Sequence, residues 1–291
     1  MKIENYLYSL SLVKADLYIH GISSLVVEIL KDNKISISDL SRELKVHKSL
    51  IYRWKQNTPI SVKNFFCLCK KTTNSEFYIN KAYELFTEFS SRNGNAIKLP
   101  KYLDNELSYL IGVIVGDGGI SSERSTLSIS GSKNELLNIS KIFNKVFSIN
   151  PKIISFKNYS EFIVNSLPLK YFLIYVFELP EGKKKNRIRV PFIIRKSEHI
   201  NQMSFIYGFY NSDGSLSERK YNRKTLAMKQ STKILLEDIN EILNKNNIKF
   251  NIYPDRTMNS WVLASFNKKE INKLLNVFIT CVDSLMVGHE A

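Results

Sequence analysis

Two aspartates, Asp117 and Asp213, close the same run of residues in two places. The first run reads Leu110-Ile-Gly-Val-Ile-Val-Gly-Asp-Gly118, and the second reads Ile206-Tyr-Gly-Phe-Tyr-Asn-Ser-Asp-Gly214. Each places a glycine in mid-helix, where it costs about 0.5–1 kcal/mol relative to alanine unless something compensates. Close approach of two helices is the usual compensation. Gly112 and Gly116 lie four apart on one face, as do Gly208 and Ser212. If those faces meet, Asp117 and Asp213 emerge side by side at the helix carboxyl ends. There they face the negative pole of the helix dipole and each other, which is unfavourable without a cation. A divalent ion with oxygen ligands relieves the repulsion, and Mg²⁺ suits phosphate chemistry. An Asp-Gly after an apolar helix is also a common helix stop. Its recurrence at the head of the same order of elements argues for more.

The elements that must position the pair recur with it. Asp104–Gly116 reads as a helix apolar almost all round, hence buried on more than one side. Strand Leu127–Ser130, amphipathic helix Lys133–Phe147, hairpin strands Ile153–Phe156 and Phe162–Val164, and helix Leu169–Phe177 follow. The order then repeats: helix Glu198–Ser212, strand Thr225–Lys229, helix Thr232–Asn246, strands Ile248–Tyr253 and Trp261–Phe266, and helix Lys268–Phe278. Two copies of one long unit suit a pseudo-dimer within a single chain. Before them lies a helical region, Ile22–Lys31, Ser38–Leu44, His47–Lys55, Ser61–Lys71 and Glu76–Phe89. The polar stretch from Ser90 to Pro100 divides the two. The expected domains are residues 1–97, 98–190 and 191–291.

Composition narrows the partner. The 291 residues hold 42 Lys and Arg against 27 Asp and Glu, a net +15 that favours a polyanion. The longest apolar runs fall well short of a membrane span, and Lys2, Glu4, Lys14 and Asp16 interrupt any signal-peptide core. Three cysteines make no disulfide framework, so Cys67 and Cys69 read as core residues in a reducing cytosol or organelle matrix. Four scattered histidines give no zinc spacing, which excludes a histidine-based metal nuclease.

With both runs in view, the chain from about Leu99 to Phe278 resembles the LAGLIDADG (dodecapeptide) homing endonucleases in their single-chain, two-motif form. The lead-in Leu99-Pro-Lys-Tyr-Leu-Asp-Asn-Glu-Leu and the stretch Gly182-Lys-Lys-Lys-Asn-Arg-Ile-Arg-Val-Pro191 also resemble the family. The resemblance implies an α+β fold of two αββαββα halves, with the motif helices at a central seam and two antiparallel sheets forming a saddle over double-stranded DNA. It implies that Asp117 and Asp213 bind a divalent metal, Mg²⁺ with Mn²⁺ able to substitute, and each serve hydrolysis of one strand. The carbonyls of Gly116 and Ser212 are additional candidate ligands. Val115 and Asn211 depart from the motif's first acidic position. At the hairpin-to-helix entry, Lys133, Lys229 and Gln230 are candidate water-positioning or charge-stabilising groups, the alternative being solvated residues at a helix start.

Strand alternation selects a DNA face. Lys249, Asn251 and Tyr253 point away from Ile248, Phe250 and Ile252, and so toward groove and phosphate. Arg219, Lys220, Arg223 and Lys224 cluster beside the second motif, and Lys183–Arg189 forms another basic group; solvated turns are the alternative for both. In the amino-terminal region, Ser38–Trp54 resembles a phage-repressor-type helix-turn-helix with core Leu40, Leu44, Val46, Ile51 and Trp54. His47, Lys48, Ser49, Tyr52 and Arg53 would then lie on the recognition helix. Lys45, where a turn glycine is usual, must take a left-handed conformation or change the turn.

The expected activity is site-specific, metal-dependent double-strand DNA cleavage by a monomer acting as a pseudo-dimer. A non-cutting DNA-binding regulator of the same fold and an intron-RNA maturase are the alternatives. An intein is disfavoured, because Met1 leads into a helix-turn-helix-like domain.

Overall fold

Helix starts follow the small polar residues that the sequence supplies. Ser36, His47, Ser61, Asn74, Asp104, Ser132 and Ser166 each accept a hydrogen bond from a first-turn backbone N–H. Each satisfies a donor that the helix itself leaves free. The computed structural model describes residues 1–219, 223–255 and 258–286.

The amino-terminal region runs α1 (Leu7–Ser11), β1 (Leu17–Ile19), α2 (Ser23–Asp32), α3 (Ile37–Leu44), α4 (Lys48–Trp54), β2 (Ile60–Ser61), α5 (Val62–Cys69), α6 (Ser75–Leu85) and β3 (Phe89–Ser91). Its strands form a small antiparallel sheet in the order β2-β1-β3. Leu40, Ile51 and Trp54 are buried, with Leu44 and Val46 packed against them. Lys45 takes the left-handed conformation, at φ 53°, so the α3–α4 turn keeps its geometry without glycine. The cap of α3 is Ser36, two residues before the expected start.

The first half continues α7 (Asn105–Gly116), β4 (Gly118–Ile120), β5 (Thr126–Gly131), α8 (Lys133–Phe147), β6 (Lys152–Ser155), β7 (Ser160–Asn165) and α9 (Leu167–Phe177). After a short α10 (Phe192–Arg195), the second half repeats the order: α11 (His199–Asp213), β8 (Gly214–Arg219), β9 (Arg223–Gln230), α12 (Lys233–Lys245), β10 (Asn251–Asp255), β11 (Ser260–Ser265) and α13 (Lys268–Met286). The two four-stranded antiparallel sheets have matching orders, β4-β5-β7-β6 and β8-β9-β11-β10. The fold is α+β, as expected. Every residue from Glu106 to Val115 is buried, which explains why α7 is apolar all round.

Three boundaries differ from expectation. Residues 248–250 precede β10 instead of opening it, because the Ile248 N–H bonds back to Leu243 and the Lys249 N–H to Glu270. Helix α13 runs on past Phe278 to Met286, since Cys281 and Leu285 keep its buried stripe going. Helix α6 stops at Leu85, and Phe89 enters a strand.

The polar dividing stretch is a packed joint. Phe89 and Ile97 exchange backbone hydrogen bonds at 2.8 Å each way, and the Lys98 N–H reaches Phe147 O at 3.0 Å. The Tyr6 ring meets Phe172 edge-on at 5.2 Å, and its hydroxyl donates to Leu99 O at 3.2 Å. Among the described residues, no helix is long and apolar enough to cross a membrane.

Candidate active site

The central seam is made by glycines. A Cβ built on Gly112 would lie 2.1 Å from Phe205 O, and one on Gly208 would lie 2.1 Å from Tyr109 O. No side chain fits at either position, so α7 and α11 meet backbone to backbone. One turn on, a Cβ on Gly116 would lie 2.4 Å from Ser212 Cβ and 3.5 Å from Asp213 Oδ2. The seam therefore delivers both helix ends, and with them both aspartates, to one place. Asp117 is the C-cap of α7, its N–H bonded to Val113 O at 3.0 Å, and Asp213 is the last residue of α11.

The charges at this point are coupled. Burial and the negative charge of Asp117 push the Asp213 carboxyl up to about 6, against the pull of Lys184 and a hydrogen bond from Gln230. Asp117 is open to solvent on one side; desolvation on its other side raises its carboxyl, with Glu135 adding to the effect and Lys184 opposing it.

Lys184 is the residue that sequence reasoning did not single out. It belongs to a run of three lysines, of which Lys183 and Lys185 are exposed while Lys184 is partly buried. Its ammonium donates to the last three carbonyls of α7: Ile114 O at 2.9 Å, Val115 O at 3.0 Å and Gly116 O at 2.9 Å. A cation at a helix carboxyl end is favourable. Burial nevertheless lowers its pKa to about 8, with Asp213 and Asp117 holding it up. The segment carrying it is tied to α12. The Asn186 N–H bonds to Thr232 Oγ1, Arg189 grips Asp238 through two hydrogen bonds, and the Val190 N–H adds a third.

The expected catalytic residues separate. Gln230 Nε2 donates to Asp213 Oδ2 at 2.9 Å, so it belongs to the site. Lys229 does not reach it. Neighbours on a strand face opposite ways, and Lys229 instead pairs with Asp255 across the sheet. Lys133 stands exposed at the first position of α8, and no contact links it to Asp117. The Gly116 carbonyl lies in the site and already accepts from Lys184. Ser212 lies there too, its hydroxyl directed to Val113 O and Gly208 O.

The donor set is carboxylate and carbonyl oxygen, to which a hard divalent cation is suited. That the α7 carbonyls already gather an ammonium shows the position attracts positive charge. No cluster of three or more His, Cys, Asp or Glu side chains occurs among the described residues. Such an ion would therefore depend on the two aspartates, backbone oxygens and substrate phosphate. Beside Asp117 the surface opens into a groove of about 780 Å³ between α7, α8, α11 and α13, lined in part by Ser130, Gly131, Glu135 and Asn138.

The other basic residues lie on surfaces. Lys249, Asn251 and Tyr253 are exposed, as the alternation required. Lys224 is half-buried; Arg219 and Arg223 stand on facing strands as a register pair, and Lys220 lies outside the described residues. On α4, Lys48, Tyr52 and Arg53 are exposed. His47 and Ser49 are exposed as well, although both join the helix cap through His47 Nδ1.

Comparison with known proteins gives each half a counterpart. Residues 201–277 match the model of a LAGLIDADG-like domain, and residues 106–167 match that of the WhiA LAGLIDADG-like domain. Among curated proteins, one of the A-type ATP synthase subunits of Pyrococcus abyssi (strain GE5 / Orsay) is 26% identical over 130 residues. That match spans 44% of this chain and only 12% of that protein. Among solved structures, I-DmoI in complex with DNA and Mn is 20% identical, covering 61% of this chain and 98% of its own, with a TM-score of 0.48. The amino-terminal LAGLIDADG domain of DUF199/WhiA is 20% identical, covering 60% and 80%, with a TM-score of 0.44.

Proposed function

We propose that the chain is a site-specific DNA endonuclease that hydrolyses one phosphodiester in each strand of a long target, acting as a monomeric pseudo-dimer. The observation that carries this reading is the convergence of Asp117, Asp213, Gln230 and Lys184 on the ends of two abutting helices. A purely structural seam has no need of two coupled carboxylates, one of them held near 6, with an ammonium packed against their helix end.

Asp117 and Asp213, with the Gly116 and Ser212 carbonyls, would hold the divalent ion, Mg²⁺ or Mn²⁺. When bound, such an ion supplies Lewis acidity and a more acidic water. Gln230 fixes the orientation of the Asp213 carboxylate. Lys184 holds positive charge beside the site, where the negative charge of an attacked phosphodiester grows. The exposed Lys249, Asn251 and Tyr253, with Lys229 on the sheet face turned away from Gln230, supply phosphate and groove contacts. The net +15 provides the general attraction. The α3–α4 unit, with Lys48, Tyr52 and Arg53 exposed, would extend the contact as a helix-turn-helix.

A second reading, a non-cutting DNA-binding regulator, is favoured by one observation: among the described residues, Lys133 does not reach the site and no glutamine partners Asp117. A pooled random-duplex library incubated with Mg²⁺, with Mn²⁺ and with EDTA separates the two. Metal-dependent enrichment of cut ends at one long motif supports the endonuclease. A discrete motif recovered by binding selection with no cut ends supports the regulator.

A further inference from the structure

The two halves repeat in order but not in chemistry, and the differences fall on the groups around the aspartates. Matching strands β7 (Ser160–Asn165) and β11 (Ser260–Ser265), and matching helix starts at Lys133 and Lys233, align the copies. On that alignment Gln230, which bonds Asp213, corresponds to Ser130 beside Asp117. Buried Leu235 corresponds to Glu135, a carboxylate whose charge opposes ionisation of Asp117.

Lys184 corresponds to Ser284. After α9 the first copy unwinds at Glu178 in the left-handed conformation, which frees the segment that carries Lys184. The second copy does not unwind there; α13 stays helical to Met286, and residues 274–286 hold no Lys or Arg. Ser284 is spent on Asn105 and Cys281 O. The Lys184 segment is packed on α12 through Thr232 and Asp238, while the matching surface of α8 is the open groove lined by Asn138 and Glu135.

We infer that the two half-sites are unequal: the Asp213 half-site, with Gln230 and Lys184, nicks its strand first, and the Asp117 half-site follows slowly. This rests on the endonuclease reading above. At each half-site the step is the same hydrolysis. A water oxygen forms a bond to phosphorus and gives up a proton, one phosphorus–oxygen bond to sugar breaks, and the departing oxygen gains a proton. Only the groups that stabilise the charge differ. Loss of one positioned donor of this kind slows hydrolysis by about 10² or more, so a difference of at least about tenfold between strands is expected.

The test uses the full chain and a target duplex recovered from a random library by binding selection, with different labels on its two strands. Single-turnover reactions with Mg²⁺ should show one strand cut at least about tenfold faster than the other, with nicked duplex accumulating. Asp213→Asn should remove the fast cut and leave the slow one, and Asp117→Asn should do the reverse. Independently of activity, Mn²⁺ titration followed by electron paramagnetic resonance on the two variants bound to uncut duplex should give dissociation constants at least about threefold apart. Equal strand rates, or equal Mn²⁺ affinities, would overturn the inference while leaving metal-dependent cleavage intact. Absence of any metal-dependent cut would overturn both the inference and the endonuclease reading.

Discussion

The Lys184 ammonium lies 2.9 Å from the Gly116 carbonyl oxygen, at the end of α7 and beside both seam aspartates. One side chain thereby caps a helix end and offsets the charge of two carboxylates. Lys184→Met keeps much of the stem's packing and removes the charge. Single-turnover cleavage should fall by about 10²-fold, while the dissociation constant for target duplex changes by less than about threefold. Equal losses in binding and cleavage would assign Lys184 to phosphate contact instead.

The pH dependence has two limbs of opposite sign. Folded Asp213 holds its proton up to about 6, against an ordinary value of 3.8. Without divalent ion, stability should therefore fall as pH rises from about 4 to about 6. Folded Lys184 loses its proton near 8 instead of 10.5, so stability should rise again between those values. Urea denaturation in EDTA across this range reads both limbs. Divalent-ion affinity should weaken by up to about tenfold per pH unit below 6, because one proton must leave Asp213.

The seam has no room for a methyl group at Gly112 or Gly208. Either alanine substitution should destabilise the fold by about 3 kcal/mol or more, because the obstacle is backbone and not a movable side chain. Gly119→Ala is the control: its Cβ would meet nothing nearer than Ser128 Oγ at 3.7 Å. Chemical denaturation of the three variants checks the difference.

Lys48→Ala and Arg53→Ala act far from the chemistry. Each should weaken binding of the selected target, and each should lower the slope of log affinity against log salt by about one if it contacts a phosphate. Cutting of bound duplex should continue at the parent rate. An unchanged affinity in the double variant would make the α3–α4 unit a packing module.

Much of this site was legible from spacing alone. Glycines four apart on two helices, each followed by aspartate, implied both the seam and the meeting of Asp117 with Asp213. Lys184 was not legible, because three adjacent lysines look alike until tertiary packing turns one inward. Lys229 and Gln230 were drawn together by sequence adjacency, whereas a strand sends neighbours to opposite faces and so divided their roles. The extension of α13 to Met286 depends on Cys281 and Leu285 finding a buried surface, which local pattern alone leaves open. The joint at 89–97 reads as a polar break because edge strands pair through backbone, and backbone pairing leaves little mark on side-chain hydropathy.

The most direct measurement of the central claim is cleavage and binding of the selected target by Asp117→Asn, Asp213→Asn and the double variant, in Mg²⁺ and in EDTA. The predicted result is that each single variant loses double-strand cleavage, the double variant loses all cutting, and every variant retains specific binding. Double-strand cleavage retained by the double variant, or cutting undiminished in EDTA, would contradict a metal site built on these two aspartates.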